Sequence, residues 1–293
     1  MKRKFTKWHK KGLGAVFAFA VTLCTGLLAS GQTAYASTIY TDTESNNSHE
    51  EAQIISKNAQ TASQAVSGST SVYRYVTGTL SYDDEDWYKV YLYSDDENYL
   101  DLNVGSGTIF VDLYNSSNFE VPMDSFQFQK YGDTGVYEVS VPSDGLYYLR
   151  VYHTTTSISA TYNFTIGNPK YTLGSYTHTF KSTTLAAKGT WQDKVDLTLI
   201  TSIPDGAIGY EISIGGCTSS VSSKRYFYNK FYDQWVATKS TYSYSLPVTN
   251  SSLLDQVWGA KIVSTSSSSK TFSPTMTIRY VAPDLPWKYI FEL

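Results

Sequence analysis

From Tyr88 to Tyr280 the chain alternates apolar and polar residues with a period of two, in short runs separated by turn residues. Tyr88, Val90 and Leu92 alternate with Trp87, Lys89 and Tyr91. The same pattern runs through Leu100, Leu102 and Val104, through Ile109, Val111 and Leu113, and through Tyr137, Val139 and Val141. After the turn Pro142-Ser143-Asp144-Gly145 it resumes with Tyr147, Leu149 and Val151, then Tyr162, Phe164 and Ile166. Side chains of a strand alternate between its two faces, so each run describes a strand with one buried face. Short strands at regular spacing with Gly, Pro and Asp turns describe an all-β sandwich. The 26 tyrosines fit that class, because aromatic and β-branched residues favour the pleated surface. Only Ser48–Ala65, richer in Ala, Gln and Glu, reads as a turn or two of helix.

The second half continues the pattern. Val195, Leu197 and Leu199 lead to Pro204-Asp205-Gly206, and Ile208, Tyr210, Ile212 and Ile214 follow, which reads as a hairpin. Tyr242, Tyr244 and Leu246, then Trp258, Ala260 and Ile262, then Met276, Ile278 and Tyr280 supply further strands. Ser266–Ser269 reads as an exposed hairpin loop, and no repeat links the halves.

The start of the chain stands apart. MKRKFTKWHKKG is basic, LGAVFAFAVTLCTGLLA is apolar, and Ala34-Tyr35-Ala36 gives a small-x-small cleavage pattern. Residues 1–36 therefore read as a secretory signal peptide rather than a membrane anchor, since the apolar run is short and holds two threonines. Cys24 is not preceded by a lipoprotein-like pattern of small residues. Cleavage leaves Cys217 alone, so no intramolecular disulfide is expected and core size or a metal must stabilise the exported chain. No sorting signal or apolar tail follows Trp287, so release is expected rather than attachment to the membrane or wall.

Six of the 23 basic residues lie in the leader, leaving 17 against 26 acidic, a net of −9. That balance argues against nucleic acid and anionic membranes as partners. It is unevenly spread. Residues 37–168 hold five basic and 18 acidic residues, a net of −13, whereas residues 169–293 hold 12 and eight, a net of +4. The shift falls at Gly167-Asn168-Pro169, a turn-forming triplet that suits a short linker. Two domains are expected, 37–168 and 169–293, with opposite charges that favour docking.

Asp83, Asp84, Glu85 and Asp86 crowd against the strand at Trp87. Such a run is either a solvated turn or half of a cation site. An EF-hand does not fit. A second oxygen-rich segment does lie upstream, with Asp42, Glu44, Asn46 and Asn47, and carboxylates and amide carbonyls from two segments are what a hard cation requires.

These segments carry a resemblance. Glu44-Ser45-Asn46-Asn47 with Ala52, then Val76–Leu80, Asp84–Tyr88, Val111–Tyr114 and Pro142–Val151 follow one another in an order similar to the bacterial pre-peptidase C-terminal domain, over residues 42–166. Relatives of that family include the collagen-binding domains of clostridial collagenases. The resemblance implies a jelly-roll-like sandwich, secreted and accessory to peptidases, that in some members binds calcium. The implied ligands are Glu44, Asn46, Asn47, Asp84 and Asp86. Asn47 stands where the family usually has Asp, which removes one charge.

No nucleophile elbow, zinc-binding helix or paired-cysteine motif occurs, and His49-Glu50-Glu51 lacks a second histidine. His153 and His178 read as surface or edge residues, Cys217 as a small buried filler, and no catalytic residue is assigned. Tyr226, Tyr228, Tyr232 and Trp235, among Phe227, Phe231, Lys224, Arg225 and Lys230, form the best candidate binding surface, with core packing as the alternative for each. The expectation is a secreted, non-enzymatic protein: a jelly-roll-like sandwich, calcium-stabilised, followed by a smaller β-sandwich, binding an extracellular protein or polysaccharide. The alternatives are a hydrolase with a dispersed triad in the second domain and a structural or inhibitory partner of another secreted protein.

Overall fold

The computed structural model describes residues 38–129, 135–154, 159–217, 223–239 and 242–286. The leader over residues 1–36 lies outside them. The first half comprises β1 (Thr38–Thr41), β2 (Gln53–Ile54), α1 (Ala62–Ser67), β3 (Arg74–Leu80), β4 (Glu85–Leu92), β5 (Asn98–Val104), β6 (Thr108–Asn115), β7 (Asp124–Gln129), β8 (Gly135–Val139), β9 (Gly145–Tyr152) and β10 (Ala160–Gly167). One sheet runs β1-β3-β10-β5-β8 and the other β2-β4-β9-β6-β7. Counting β3 to β10 as eight strands, the orders are first-eighth-third-sixth and second-seventh-fourth-fifth, the two wrapped Greek keys of a jelly roll. β1 and β2 add parallel strands at one edge of each sheet.

The second half comprises β11 (Tyr171–Thr179), β12 (Thr183–Leu185), β13 (Thr190–Asp196), β14 (Ile208–Gly215), β15 (Ser223–Asn229), β16 (Gln234–Ala237), β17 (Ser243–Ser245), β18 (Val257–Ser264), β19 (Lys270–Phe272) and β20 (Thr275–Pro283). Its sheets run β11-β20-β14-β17 and β13-β18-β15-β16, with β12 and β19 as a two-stranded ribbon. Setting that ribbon aside, the remaining eight strands repeat the first half's order. A repeat therefore does link the halves, in topology though not in residues.

Three local expectations are corrected. β13 and β14 are not a hairpin: they sit in opposite sheets, because a jelly roll carries successive strands across the sandwich, and β13 ends at Asp196 so that Leu197 and Leu199 belong to the connection. Ser266–Ser269 likewise joins β18 to β19, which pairs with β12. Within the stretch Ser48–Ala65 helix is confined to the start of α1, where Thr61 and Gln64 form a capping box and Gly68 takes the left-handed C-cap at φ 72°; most of Ser48–Ala65 is extended or irregular.

Each half has its own core. Tyr88, Leu100, Ile109, Leu149 and Phe164 are among the residues closing the first, and Trp258, Phe227, Ile212 and Ile278 among those closing the second. The junction is no free tether. Buried Asn58 donates through Nδ2 to the Asn168 carbonyl at 2.8 Å, and Asn168 Nδ2 donates to the Gln60 carbonyl at 3.1 Å. Lys170 reaches buried Asp101 at 3.8 Å, and α1 packs against β11 and β20.

Candidate functional site

After β1 the chain folds back past the start of β4. The Asp42 N–H donates to the Thr77 carbonyl and the Trp87 N–H donates to the Asn46 carbonyl, both at 2.8 Å, which pins the Asp42–Asn47 segment against β3 and β4. Carboxylate oxygens of Asp42, Glu44 and Asp86 consequently lie within 4.8 Å of one another. Asp86 is fully buried, Asn46 is 1% exposed, and Glu44 faces solvent.

Two tyrosines support the cluster from the core side. Tyr88 donates its hydroxyl to Asp42 Oδ1 at 2.9 Å, and Asn46 Nδ2 donates to the same oxygen at 2.9 Å. The Tyr162 hydroxyl donates to Asp86 Oδ2, and the two phenol oxygens are 2.5 Å apart. Tyr162 reaches this position by crossing Gly78 on β3, its partner in the register, where any side chain would overlap the phenol ring.

Two oxygens are left over. Asp86 Oδ1 and Asn46 Oδ1 are buried and have no hydrogen-bond partner. A buried polar atom without a partner is costly, and a carboxylate more so. Burial, with the negative charges of Asp42, Asp84 and Glu44, pushes the Asp86 carboxyl up to about 8 in spite of the Tyr162 hydrogen bond. Glu44 is also raised, by desolvation and by Asp84 and Asp42. Mutually repelling carboxylates beside an orphaned amide oxygen fit a hard, oxygen-seeking cation of the calcium kind, and the absence of nitrogen and sulfur donors disfavours zinc or copper.

Of the expected ligands, Glu44, Asn46 and Asp86 come together, with Asp42 completing the cluster. Asp84 and Asn47 pair with each other beside it. Asp84 Oδ2 closes the β3–β4 turn by accepting from the Ser81 N–H at 2.9 Å. The Asn47 amide nitrogen, in the orientation that satisfies it, donates to the Glu85 carbonyl at 2.9 Å and to Asp84 Oδ1 at 3.1 Å. An aspartate at position 47 would set a carboxylate against both acceptors, which accounts for asparagine there. Asp42 was visible as part of the oxygen-rich segment. Tyr88 and Tyr162 were read only as core.

Each of the three histidines among the described residues is engaged locally. His49 stacks on Phe119 at 3.8 Å, His153 Nε2 lies 2.8 Å from the Ser81 carbonyl, and His178 meets Phe180 edge-on at 4.5 Å. Cys217 is half-buried against the second core, and burial pushes its thiol up.

The aromatic segment divides by strand parity. Phe227 enters the core, while Tyr226 and Tyr228 take the opposite face of the sheet. There Tyr226 is half-buried, Tyr228 is covered to 4% exposure, and half-buried Trp235 sits directly across from Tyr228. Tyr232 belongs to the β15–β16 turn, where its hydroxyl donates to Ser251 Oγ at 2.9 Å. Lysines lie over the outward rings: Lys194 Nζ is 3.2 Å from the Tyr228 centroid, and Lys261 Nζ is 4.4 Å from that of Tyr226 and 5.1 Å from that of Trp235.

No protein-family model matches the sequence, and no curated protein matches it. Among solved structures, the fold is similar to that of a provisionally described secreted protein from Eubacterium rectale, at 12% identity and a TM-score of 0.51, over 84% of this chain and 82% of that one. That span is too long for one sandwich, so the likeness covers the tandem arrangement. The PBSX exported protein XepA gives a TM-score of 0.23 at 9% identity, over 70% of this chain and 84% of that one. The chain is thus an all-β protein of two β-sandwiches.

Proposed function

We propose that this chain is a secreted, non-catalytic binding protein whose first sandwich is of the pre-peptidase C-terminal type and is stabilised by calcium, and which recognises an extracellular protein or polysaccharide. The observation that carries the reading is the pair of buried, unpartnered oxygens on Asp86 and Asn46 beside the carboxylates of Asp42 and Glu44. These four residues would hold the ion, which would offset two of their three negative charges and tie the segment after β1 to β4. The leader pattern supports export, as does the description of the Eubacterium rectale protein as secreted. The locally engaged histidines support a role without catalysis.

Scanning calorimetry of the protein with calcium and with chelator is the test, run beside hydrolysis assays on peptide, ester and glycoside substrates and retention on collagen, chitin and cell wall. A calcium-dependent rise in melting temperature, with retention on a polymer and no turnover, is expected. Coincident melting curves would mean that the buried carboxylate cluster does not take calcium, and turnover would make the protein an enzyme.

A further inference from the structure

We infer that the outer face of the β13-β18-β15-β16 sheet binds an acidic polysaccharide, its lysines pairing with uronate carboxylates and its aromatic rings stacking on the sugar faces. This names the ligand class within the binding function proposed above and rests on that reading.

The register places Lys194, Gly259, Tyr228 and Trp235 side by side across four strands, with Gln192, Lys261, Tyr226 and Ala237 as the adjacent row on the same face. Lys224 extends the face along β15 and is exposed. Gly259 keeps the floor flat: a Cβ there would meet Lys194 Cγ at 3.0 Å and the Trp235 ring at 3.3 Å. Lys194, Lys224 and Lys261 make no ion pair among the described residues. Two acids border the face. Asp196, exposed on the same face two residues after Lys194, accepts from the Thr198 N–H at 3.0 Å and hydroxyl at 2.7 Å. Asp233 accepts from the Tyr228 hydroxyl at 2.6 Å and pairs with Lys230 at 3.7 Å through the same oxygen. The face thus carries three lysines outside any salt bridge among the described residues, on the basic half of an acidic chain, although Lys194 stands near enough to Asp233 to add to the lowering of its carboxyl by the Tyr228 hydroxyl and Lys230.

Lys194 and Lys261 rest on aromatic rings instead. Lys194 is exposed and Lys261 half-buried, and that contact is weaker than a well-aligned charge-assisted bond to a carboxylate. A uronate therefore draws the ammonium off the ring, and the freed ring face becomes available to the sugar's apolar side. A neutral polymer offers the lysines nothing stronger, and the rings stay covered. Charge complementarity selects the ligand and stacking positions it.

The test is titration calorimetry of the full-length protein with short oligogalacturonides and with the same oligomers methyl-esterified, at fixed calcium. Binding of the acid form alone is expected, weakened by raising salt from about 0.1 M to about 1 M, which shortens the screening length from about 10 Å to about 3 Å. Lys194→Gln and Lys261→Gln should each weaken it roughly tenfold, the arginine variants much less, with unchanged melting temperatures showing intact folds. Equal binding of the ester, no binding of the acid, or full affinity in the glutamine variants overturns the inference. So does self-association of the wild type that the glutamine variants abolish, which would make this face an interface between copies. If the wild type is retained on collagen, chitin or cell wall and the lysine variants are retained equally, the binding function stands and this ligand class falls. If nothing is retained and no oligomer binds, both fall.

Discussion

Tyr162 lies directly across Gly78, so the hydroxyl that donates to Asp86 depends on a missing side chain one strand away. The glycine of the Val76–Leu80 motif is the space through which the core reaches the acidic cluster. Gly78→Ala must displace the ring, at a cost of about 1–3 kcal/mol by overpacking. Urea unfolding should show that loss, and calorimetry should show the calcium response shrinking with it. An alanine variant as stable as the wild type would mean that Tyr162 has room to move.

Calcium binding to the folded state alone should stabilise by about 2.7 kcal/mol at a hundred times the dissociation constant, a melting shift of several degrees for a domain of this size. Asp86→Asn or Asp42→Asn should remove most of that shift. Asp95→Asn, in the other acidic loop, should leave it intact. Magnesium should substitute poorly, since it demands a smaller and near-octahedral shell. Calorimetry across these variants and both ions reads all three outcomes.

Without calcium the same cluster makes stability depend on pH. The folded Asp86 carboxyl sits at about 8, against roughly 4 in an unfolded chain. Because the folded value is the higher one, protonation favours folding: the contribution is complete below about pH 4 and is lost as pH rises through about 8. Chelated protein should therefore melt several degrees lower at about pH 9 than at about pH 5. Calcium should flatten or reverse the trend by favouring the carboxylate. Melting curves over this range decide it, and Asp86→Asn should remove most of the dependence, leaving the part owed to raised carboxyls such as Glu44.

Replacing His49, His153 and His178 together by Gln should leave polymer retention nearly unchanged, because none stands at the acidic cluster or on the lysine-covered face. Turnover of a peptide, ester or glycoside by the wild type, lost in the triple variant, would contradict this.

The junction should resist proteolysis despite its turn-forming residues. Asn58→Ala removes the donor to the Asn168 carbonyl and the acceptor of the buried Gln60 N–H, at a cost of about 1–3 kcal/mol for the unsatisfied buried group. Limited proteolysis should then cut near residues 167–171 in the variant and spare that stretch in the wild type, with the fragments identified by mass.

The alternation of Tyr88, Val90 and Leu92, and of Leu149 and Val151, made the sandwich legible, because strand parity is a local property of the chain. Strand pairing was not legible in the same way. β13 and β14 look like a hairpin until the opposite sheet claims one of them, and eight-strand order leaves no residue signature, so the common topology of the halves went unseen. At the cluster, Glu44 and Asp86 were legible through charge density. Asp84 and Asn47 were read together with them, and that they stand beside the cluster, with Asp84 closing the turn, was not legible because only geometry separates the two positions. Tyr88 and Tyr162 did carry a signal: a tyrosine on a core-facing parity needs a partner for its hydroxyl, where phenylalanine would need none.

The pairing of Tyr171 with Pro283 has a mechanical side. β11 opens the second sandwich and β20 closes it, and the Asp284 N–H donates back to the Lys170 carbonyl at 2.7 Å. The whole of that sandwich is a loop drawn shut at its neck. Tension applied between the first sandwich and the chain beyond Pro283 bypasses its core and loads this neck. There the β11–β20 hydrogen bonds open one after another, as a zip does, rather than shearing together. The second sandwich should yield at low force however stable its interior is, while the first carries load through the clamp at Asn58.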